Sequence, residues 1–104
     1  MIDYDVLVNS LESNPRDIVT RPLINRKGKW FYAYVENGYI MVITSKQKEP
    51  KCAISMPRTL RKSECEKLYD LYIQRKCGQS VSKEAGTATV NQVYWYGIFA
   101  DLGL

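Results

Sequence analysis

Two short runs of hydrophobic residues, 29–35 and 39–45, dominate the middle of the chain, and β-branched and aromatic side chains predominate in both. That composition is typical of β-strands. Asn37-Gly38 separates the runs, and this dipeptide readily supplies the two positive φ angles that a type I′ turn requires. The pattern therefore predicts a β-hairpin with a two-residue loop, in which Glu36 lies opposite Tyr39.

The predicted register places Trp30 opposite Ser45 and divides the side chains of the hairpin between two faces. One face is compact and aliphatic, as suits a core, and consists of Phe31, Ala33, Val35, Ile40, Val42 and Thr44. The other is aromatic with polar tips and consists of Trp30, Tyr32, Tyr34, Tyr39, Met41 and Ile43. A sheet with one wet face normally alternates apolar and polar residues, and this hairpin does not. Either both faces are covered, or the aromatic face binds something.

Shorter apolar runs predict further elements around the hairpin. Residues 2–13 repeat apolar side chains at helical spacing, and Asn14-Pro15 ends the predicted helix, since a residue before proline avoids the α region. Residues 18–24 are β-branched and apolar around a proline, which restricts them to an edge strand or an extended arm. Residues 52–56 predict one more short strand, stopped by the proline that follows.

The C-terminal part of the chain has a helical pattern that begins with a long helix. Ser63 and Glu66 have the spacing of a capping box at its start, and Thr59 is the alternative cap. Gly78 is the expected terminator, because glycine readily adopts the left-handed conformation that ends helices.

Two more helices are predicted after that. A short one covers residues 82–86. A capping box of Thr89 with Gln92 then begins a helix over 90–102, which Gly103 ends. Strands grouped before helices favour an α+β fold. The prediction is one domain over residues 1–104, with an N-terminal helix, an antiparallel sheet of three to four strands, and three C-terminal helices on one sheet face.

The predicted helices over residues 82–102 have the proportions of a DNA-binding helix-turn-helix. Charge argues against that function, because most affinity for DNA comes from neutralising phosphates. Residues 63–104 carry four basic and five acidic side chains, and the helix over 90–102 has no Lys or Arg. Asn91 and Gln92 could still pair with adenine. Since the helix is rich in large apolar residues, we expect a packed structural helix, with DNA readout and a partner surface as the alternatives.

The sequence lacks the residues that most catalytic and metal sites need. It contains no histidine, which excludes Ser-His-Asp and Cys-His arrangements. The spacing of Cys52, Cys65 and Cys77 fits no zinc pattern, and three reduced, mostly buried thiols are expected. Neither GxxxxGK[ST] nor GxGxxG occurs, so no phosphate-binding loop is indicated. We therefore expect no catalytic residue, no metal and no cofactor.

The expected compartment is the cytoplasm. No apolar run approaches the roughly 18 residues that a membrane-spanning helix needs. The first ten residues carry Asp3 and Asp5 and no Lys or Arg, unlike a secretory signal. We expect a small soluble domain with no membrane partner.

Positive charge is concentrated in the middle of the chain. Residues 26–62 carry nine basic and two acidic side chains, a net charge of +7, whereas the whole chain has +4. Cations beside exposed rings are typical of single-stranded nucleic-acid binding, because bases stack on rings while cations hold phosphates. The alternative is that the lysines keep the domain soluble and the aromatics simply favour strands. The candidate ligand-binding residues are Arg26, Lys27, Lys29, Trp30, Tyr32, Tyr34, Lys46, Lys48, Arg58, Arg61 and Lys62.

The sequence favours a small non-catalytic binding module that recognises nucleic acid through its basic aromatic hairpin. The first alternative is a protein-interaction module, such as an accessory or inhibitor protein of a mobile element. It would act as a homodimer or on a foreign partner. The second alternative is a small nuclease that uses Lys, Arg and Tyr without His.

Overall fold

The computed structural model describes residues 2–20, 28–78 and 91–104, and these have an α+β fold. Two helices follow the sheet in this part of the chain. The predicted helix over 82–86 and the candidate site residues Arg26 and Lys27 lie outside the described residues. In chain order the elements are α1 (Tyr4–Ser13), β1 (Arg16–Val19), β2 (Trp30–Glu36), β3 (Tyr39–Thr44), β4 (Arg58–Leu60), α2 (Lys62–Lys76) and α3 (Gln92–Asp101).

The four strands form one antiparallel sheet in the order β1-β2-β3-β4. The hairpin of β2 and β3 confirms the sequence prediction. Asn37 and Gly38 have φ angles of 54° and 80°, as a type I′ turn requires. Glu36 pairs with Tyr39, and the ladder runs from there to Phe31–Thr44 in the predicted register.

Beyond Phe31 the hairpin departs from the prediction. Trp30 does not pair with Ser45. Residues 50–52, which come after the loop, form hydrogen bonds with the Trp30 backbone instead. The Trp30 amide donates to the Pro50 carbonyl at 2.7 Å, and the Cys52 amide donates to the Trp30 carbonyl at 2.8 Å. Lys51 thereby forms a single parallel bridge with Trp30.

The predicted strand over residues 52–56 is wrong. The fourth strand is Arg58–Leu60, which begins after Pro57 instead of ending before it. Proline is tolerated just outside a strand, and residues 58–60 can pair along β3, where Leu60 lies opposite Ile40. Residues 50–52 are instead committed to Trp30.

The predicted edge strand is present but starts earlier than expected. Arg16–Val19 forms the edge strand β1, whereas the prediction covered residues 18–24, of which 21–24 lie outside the described residues. Arg16 pairs with Ala33 in the sheet, and its guanidinium forms an ion pair with Asp101 at the end of α3. This long-range pairing has no signal in the local hydrophobic pattern.

The inner face of the sheet packs against the helices. Phe31, Ala33, Ile40 and Val42 are completely buried, which confirms the aliphatic hairpin face as the core face. Helices α1 and α3 contact this side of the sheet, and α2 packs against α3. Residues 94–99 of α3 are all buried, so α3 is a core helix.

A tyrosine hydroxyl ties α1 to the sheet. Tyr4 Oη donates to the Leu60 carbonyl at 2.6 Å and accepts a hydrogen bond from the Ile40 amide at 3.0 Å. Ile40 and Leu60 are paired residues of β3 and β4. The hydroxyl therefore bridges two backbone groups of neighbouring strands, all of them buried.

The capping predictions for α2 are wrong. The helix begins at Lys62 with Arg61 as its N-cap, and no side chain caps it. Thr59 lies in β4, where its hydroxyl donates to Met41 Sδ. The strand β4 ends directly before the helix, so sheet pairing sets the starting point. The predicted end is confirmed, since Gly78 follows the helix with a φ of 90°.

The start of α3 also differs from the prediction. Gln92 is the first helical residue and Asn91 the N-cap, so Gln92 does not occupy the third position that a capping box requires. Thr89 lies outside the described residues. Gly103 follows the helix with a φ of 76°, as expected of a helix terminator.

Alkaline pH is expected to destabilise this core. Burial raises the pKa of the Tyr4 and Tyr96 hydroxyls and raises the pKa of the Cys65 thiol to about 11. These groups ionise more easily when unfolded, so the stability that their neutral forms contribute is lost as pH rises through the folded-state values. Urea unfolding from pH 7 to 11 should show a falling free energy of unfolding above about pH 9. A flat profile would contradict the burial of these groups.

Candidate functional site

The outer face of the sheet consists of Trp30, Tyr32, Tyr34, Tyr39, Met41 and Ile43. All six side chains are partly or largely exposed, and Tyr39 is 51% exposed. They alternate along β2 and β3 with the buried residues of the inner face. The sequence left open whether the aromatic face is covered. The described residues leave it accessible.

Two lysines lie over the rings of this face. Lys46 Nζ is 4.9 Å from the centroid of the Tyr32 ring, and Lys48 Nζ is 5.6 Å from that of Trp30. The rings of Tyr32 and Tyr34 are 6.0 Å apart with 31° between their planes. The outer face thus carries a row of rings whose end away from the turn is positively charged.

An aspartate on β1 organises the loop that carries these lysines. Asp17 pairs with Tyr32 across the sheet, so both side chains point to the outer face. Its carboxylate accepts hydrogen bonds from three consecutive backbone amides, those of Lys46, Gln47 and Lys48, at 2.9, 3.0 and 3.2 Å. Ser45 Oγ donates to the Lys48 carbonyl at 2.6 Å and closes the same turn.

The electrostatics of Asp17 follow from these contacts. Partial burial would raise the pKa of its carboxyl, but the three backbone amides and the charge of Lys51 together lower it. The carboxylate is therefore ionised at neutral pH and remains available as an acceptor. Lys51 follows Pro50 in the segment that bridges to Trp30. We define Lys46, Lys48 and Lys51 as the lysine cluster.

Three of the predicted site residues lie elsewhere. Arg58 pairs with Val42 and therefore belongs to the inner side of the sheet, where its guanidinium donates to Asn91 Oδ1 at 3.3 Å. It also lies 5.9 Å from the centroid of the Tyr94 ring. Arg61 and Lys62 are at the start of α2. Strand alternation sends Arg58 away from the aromatic face, and a charge count along the chain cannot register this.

A fourth predicted residue, Lys29, directly precedes Trp30, so strand alternation directs its side chain to the inner side of the sheet, near Cys52. Its backbone carbonyl accepts from the Thr20 amide, and its own amide donates to Thr20 Oγ1. Burial raises the pKa of the Cys52 thiol in the core, and the nearby positive charge of Lys29 counteracts this. The structure thus brings together Trp30, Tyr32, Tyr34, Lys46 and Lys48 from the predicted set.

Two residues of the site were not selected from the sequence. Lys51 belongs to the basic segment, but its place depends on the parallel bridge with Trp30. Asp17 lies 29 residues before the first amide that it accepts from. An isolated aspartate beside an edge strand carries no local signal for such a contact.

A concave region lies between the first turns of α1 and α2, away from the outer face. It has a volume of about 520 Å³ and is lined by Ile2, Asp3, Tyr4, Lys62, Ser63, Cys65 and Glu66. Because burial raises the pKa of Cys65 to about 11, its thiol is protonated at neutral pH and is a poor nucleophile. The lining mixes both signs of charge and has none of the exposed rings of the outer face.

Comparison with protein-family models, curated proteins and solved structures finds no significant match to this chain. Among the described residues, no group of His, Cys, Asp or Glu is placed to hold a metal ion. Within those same residues, no helix has both the length and the apolar character needed to cross a bilayer.

Proposed function

We propose that this domain is a non-catalytic binding module whose outer face binds single-stranded nucleic acid. The observation that carries the proposal is the placement of two lysine ammonium groups, 4.9 and 5.6 Å from the Tyr32 and Trp30 ring centroids, on a face that remains accessible. Rings stack with unpaired bases, and lysines neutralise the phosphates that link those bases.

The lysines that now lie over the rings do not prevent base stacking. A cation–π contact at an exposed site is worth about 0.5–1 kcal/mol. A base stacked on an aromatic side chain contributes about 1–3 kcal/mol. Exchange of the ammonium group for a base is therefore favourable, and the flexible stem of Lys46 or Lys48 can carry its charge from the ring to a phosphate.

Single strands fit this surface better than duplex DNA does. The rings of Trp30, Tyr32 and Tyr34 need the flat face of a base, and a duplex hides its base faces in the stack. The helix that could have entered a DNA groove is α3, but its residues 94–99 are buried. It also contains no Lys or Arg. Another lysine–ring contact of the described chain, Lys76 Nζ at 5.5 Å from the Tyr72 centroid, involves a buried ring that offers no face to a base.

Removing two lysines of the cluster should weaken binding and its dependence on salt. The probe is a fluorescein-labelled eight-nucleotide single strand, measured by anisotropy at several salt concentrations. Three phosphate contacts predict a log–log slope of about −2 for the unaltered protein. The double variant Lys46→Gln, Lys48→Gln should show a slope of about −0.7, and we expect at least about a tenfold loss of affinity.

A charge-matched control separates the site from net charge. The double variant Arg61→Gln, Lys62→Gln removes the same two charges at the start of α2, where neither side chain caps the helix. We expect its salt slope and affinity to stay close to those of the unaltered protein. An equal loss of affinity in both double variants would show that binding depends only on general electrostatic attraction. Absence of binding by the unaltered protein at low salt would refute the proposal.

The intrinsic fluorescence gives a second measurement in the same titration. Trp95 is completely buried, whereas Trp30 is partly exposed on the outer face. Stacking of a base on Trp30 should quench emission, and the variant Trp30→Phe should abolish this change. If light scattering instead finds a dimer that oligonucleotide does not compete with, a second copy of the chain occupies the face and the proposal fails.

A further inference from the structure

We infer that Asp17, although negatively charged, promotes binding of the polyanionic ligand, because it positions the loop of Lys46 and Lys48. This inference rests on the proposed function of the outer face. Asp17 is a positioning residue, since its carboxylate contacts the loop backbone. From its charge alone, Asp17 would be expected to weaken the binding of an anionic ligand.

The carboxylate connects two parts of the sheet that lie far apart in sequence. Asp17 belongs to β1, and the three amides that it accepts from follow the end of β3. One oxygen serves Lys46 and the other serves both Gln47 and Lys48. Such charge-assisted bonds to backbone amides are among the stronger hydrogen bonds in proteins.

The loop geometry determines where the two lysines lie. With the amides of residues 46–48 fixed on Asp17 and the Lys48 carbonyl held by Ser45, the ammonium groups reach the Tyr32 and Trp30 rings. A free loop would have to be ordered when the ligand binds, and that conformational entropy is subtracted from affinity. Asp17 orders the loop in advance.

Electrostatics and preorganisation predict opposite signs for the loss of this carboxylate. If Asp17 acted only as a charge near Lys51, its removal would strengthen binding of an anion, because a repulsive neighbour is gone. If it orders the loop, its removal weakens binding despite the gain of net positive charge. The sign of the change in affinity therefore decides between the two roles.

The test uses the same labelled eight-nucleotide strand and the full chain. Asp17→Ala should weaken binding about tenfold, because two long side chains must then be ordered on binding. Asp17→Asn keeps one acceptor oxygen and should fall between Asp17→Ala and the unaltered protein. Ser45→Ala loosens the same turn without changing charge, and we expect a loss of about threefold on the same grounds.

Glu36→Gln is the matched control for the change in charge. Glu36 is an exposed carboxylate of β2 near the turn, so its neutralisation should leave affinity unchanged or slightly stronger. Amide hydrogen exchange adds a readout of the loop itself. The amides of residues 46–48 should be protected in the unaltered protein and should lose protection in Asp17→Ala, while circular dichroism confirms that the sheet remains folded.

Each outcome of this experiment bears on the inference. Tighter binding by a folded Asp17→Ala or Asp17→Asn variant would overturn the positioning role and leave the proposed function standing. Absence of binding by the unaltered protein would overturn the positioning role and the proposed function together. A loss of exchange protection in Asp17→Ala would then show that the contact between Asp17 and the loop is purely structural. Weaker binding by the Asp17 variants and Ser45→Ala, with Glu36→Gln unchanged or slightly stronger, supports the inference.

Discussion

Replacing Tyr4 by phenylalanine is expected to lower the free energy of unfolding by about 2–4 kcal/mol, since a buried backbone group left without its partner costs about 1–3 kcal/mol. The Tyr4 hydroxyl serves two such groups, the Ile40 amide and the Leu60 carbonyl. Both belong to residues that are completely buried, so water does not readily take the place of the lost hydroxyl. The phenyl ring would still fill its site, and packing is nearly unchanged.

Urea unfolding of Tyr4→Phe at neutral pH measures this effect. Tyr39→Phe is the matched control, because the Tyr39 side chain is 51% exposed on the outer face. Its loss of a hydroxyl should change stability by less than about 0.5 kcal/mol, as is usual for surface substitutions. If both variants lost the same small amount, the Tyr4 hydroxyl would not be the bridge between β3 and β4.

Replacing Gly97 by alanine is expected to destabilise the protein by about 2 kcal/mol, because overpacking of a well-filled core typically costs about 1–3 kcal/mol. A Cβ at this position would lie 2.7 Å from the Val19 carbonyl oxygen and 3.1 Å from the Phe31 ring. The nearer of these atoms belongs to the backbone of β1, which cannot move without disturbing the sheet. Glycine here permits close approach of α3 to the edge strand.

The sign of the change in stability distinguishes a close contact at Gly97 from an ordinary position in a helix. In an ordinary helix interior, alanine is more favourable than glycine by about 1 kcal/mol. The control is Ala100→Gly in the same helix, which should cost about that amount and show that α3 otherwise prefers alanine. A Gly97→Ala variant more stable than the original, by thermal or urea unfolding, would mean that the helix does not lie against β1 at this distance.

These two contacts also bear on the proposed function. Tyr4 attaches α1 to β3 and β4, and Gly97 allows α3 to lie close to β1. Both helices are thereby placed on the inner side of the sheet. The outer face, with its rings and the lysine cluster, remains accessible as a consequence.

Several features of the protein were determined by the sequence alone. The hairpin and its register follow from Asn37-Gly38, because a two-residue turn with two positive φ angles permits one alignment of the flanking strands. The division into an aliphatic and an aromatic face follows from that register. The N-terminal helix and the ends of α2 and α3 were also predictable, because proline and glycine restrict or release the backbone locally.

Only the tertiary structure decided how distant segments meet. Residues 50–52, and not Ser45, form hydrogen bonds with Trp30. Asp17 accepts hydrogen bonds from the loop of residues 46–48. Arg58 points to the inner side of the sheet. The local capping signal at Ser63 was overridden by the position of β4. Each outcome depends on hydrogen bonds or pairing between residues far apart in sequence. Local composition does not encode such pairings, so the charge along the chain located the basic segment without showing which lysines face the rings.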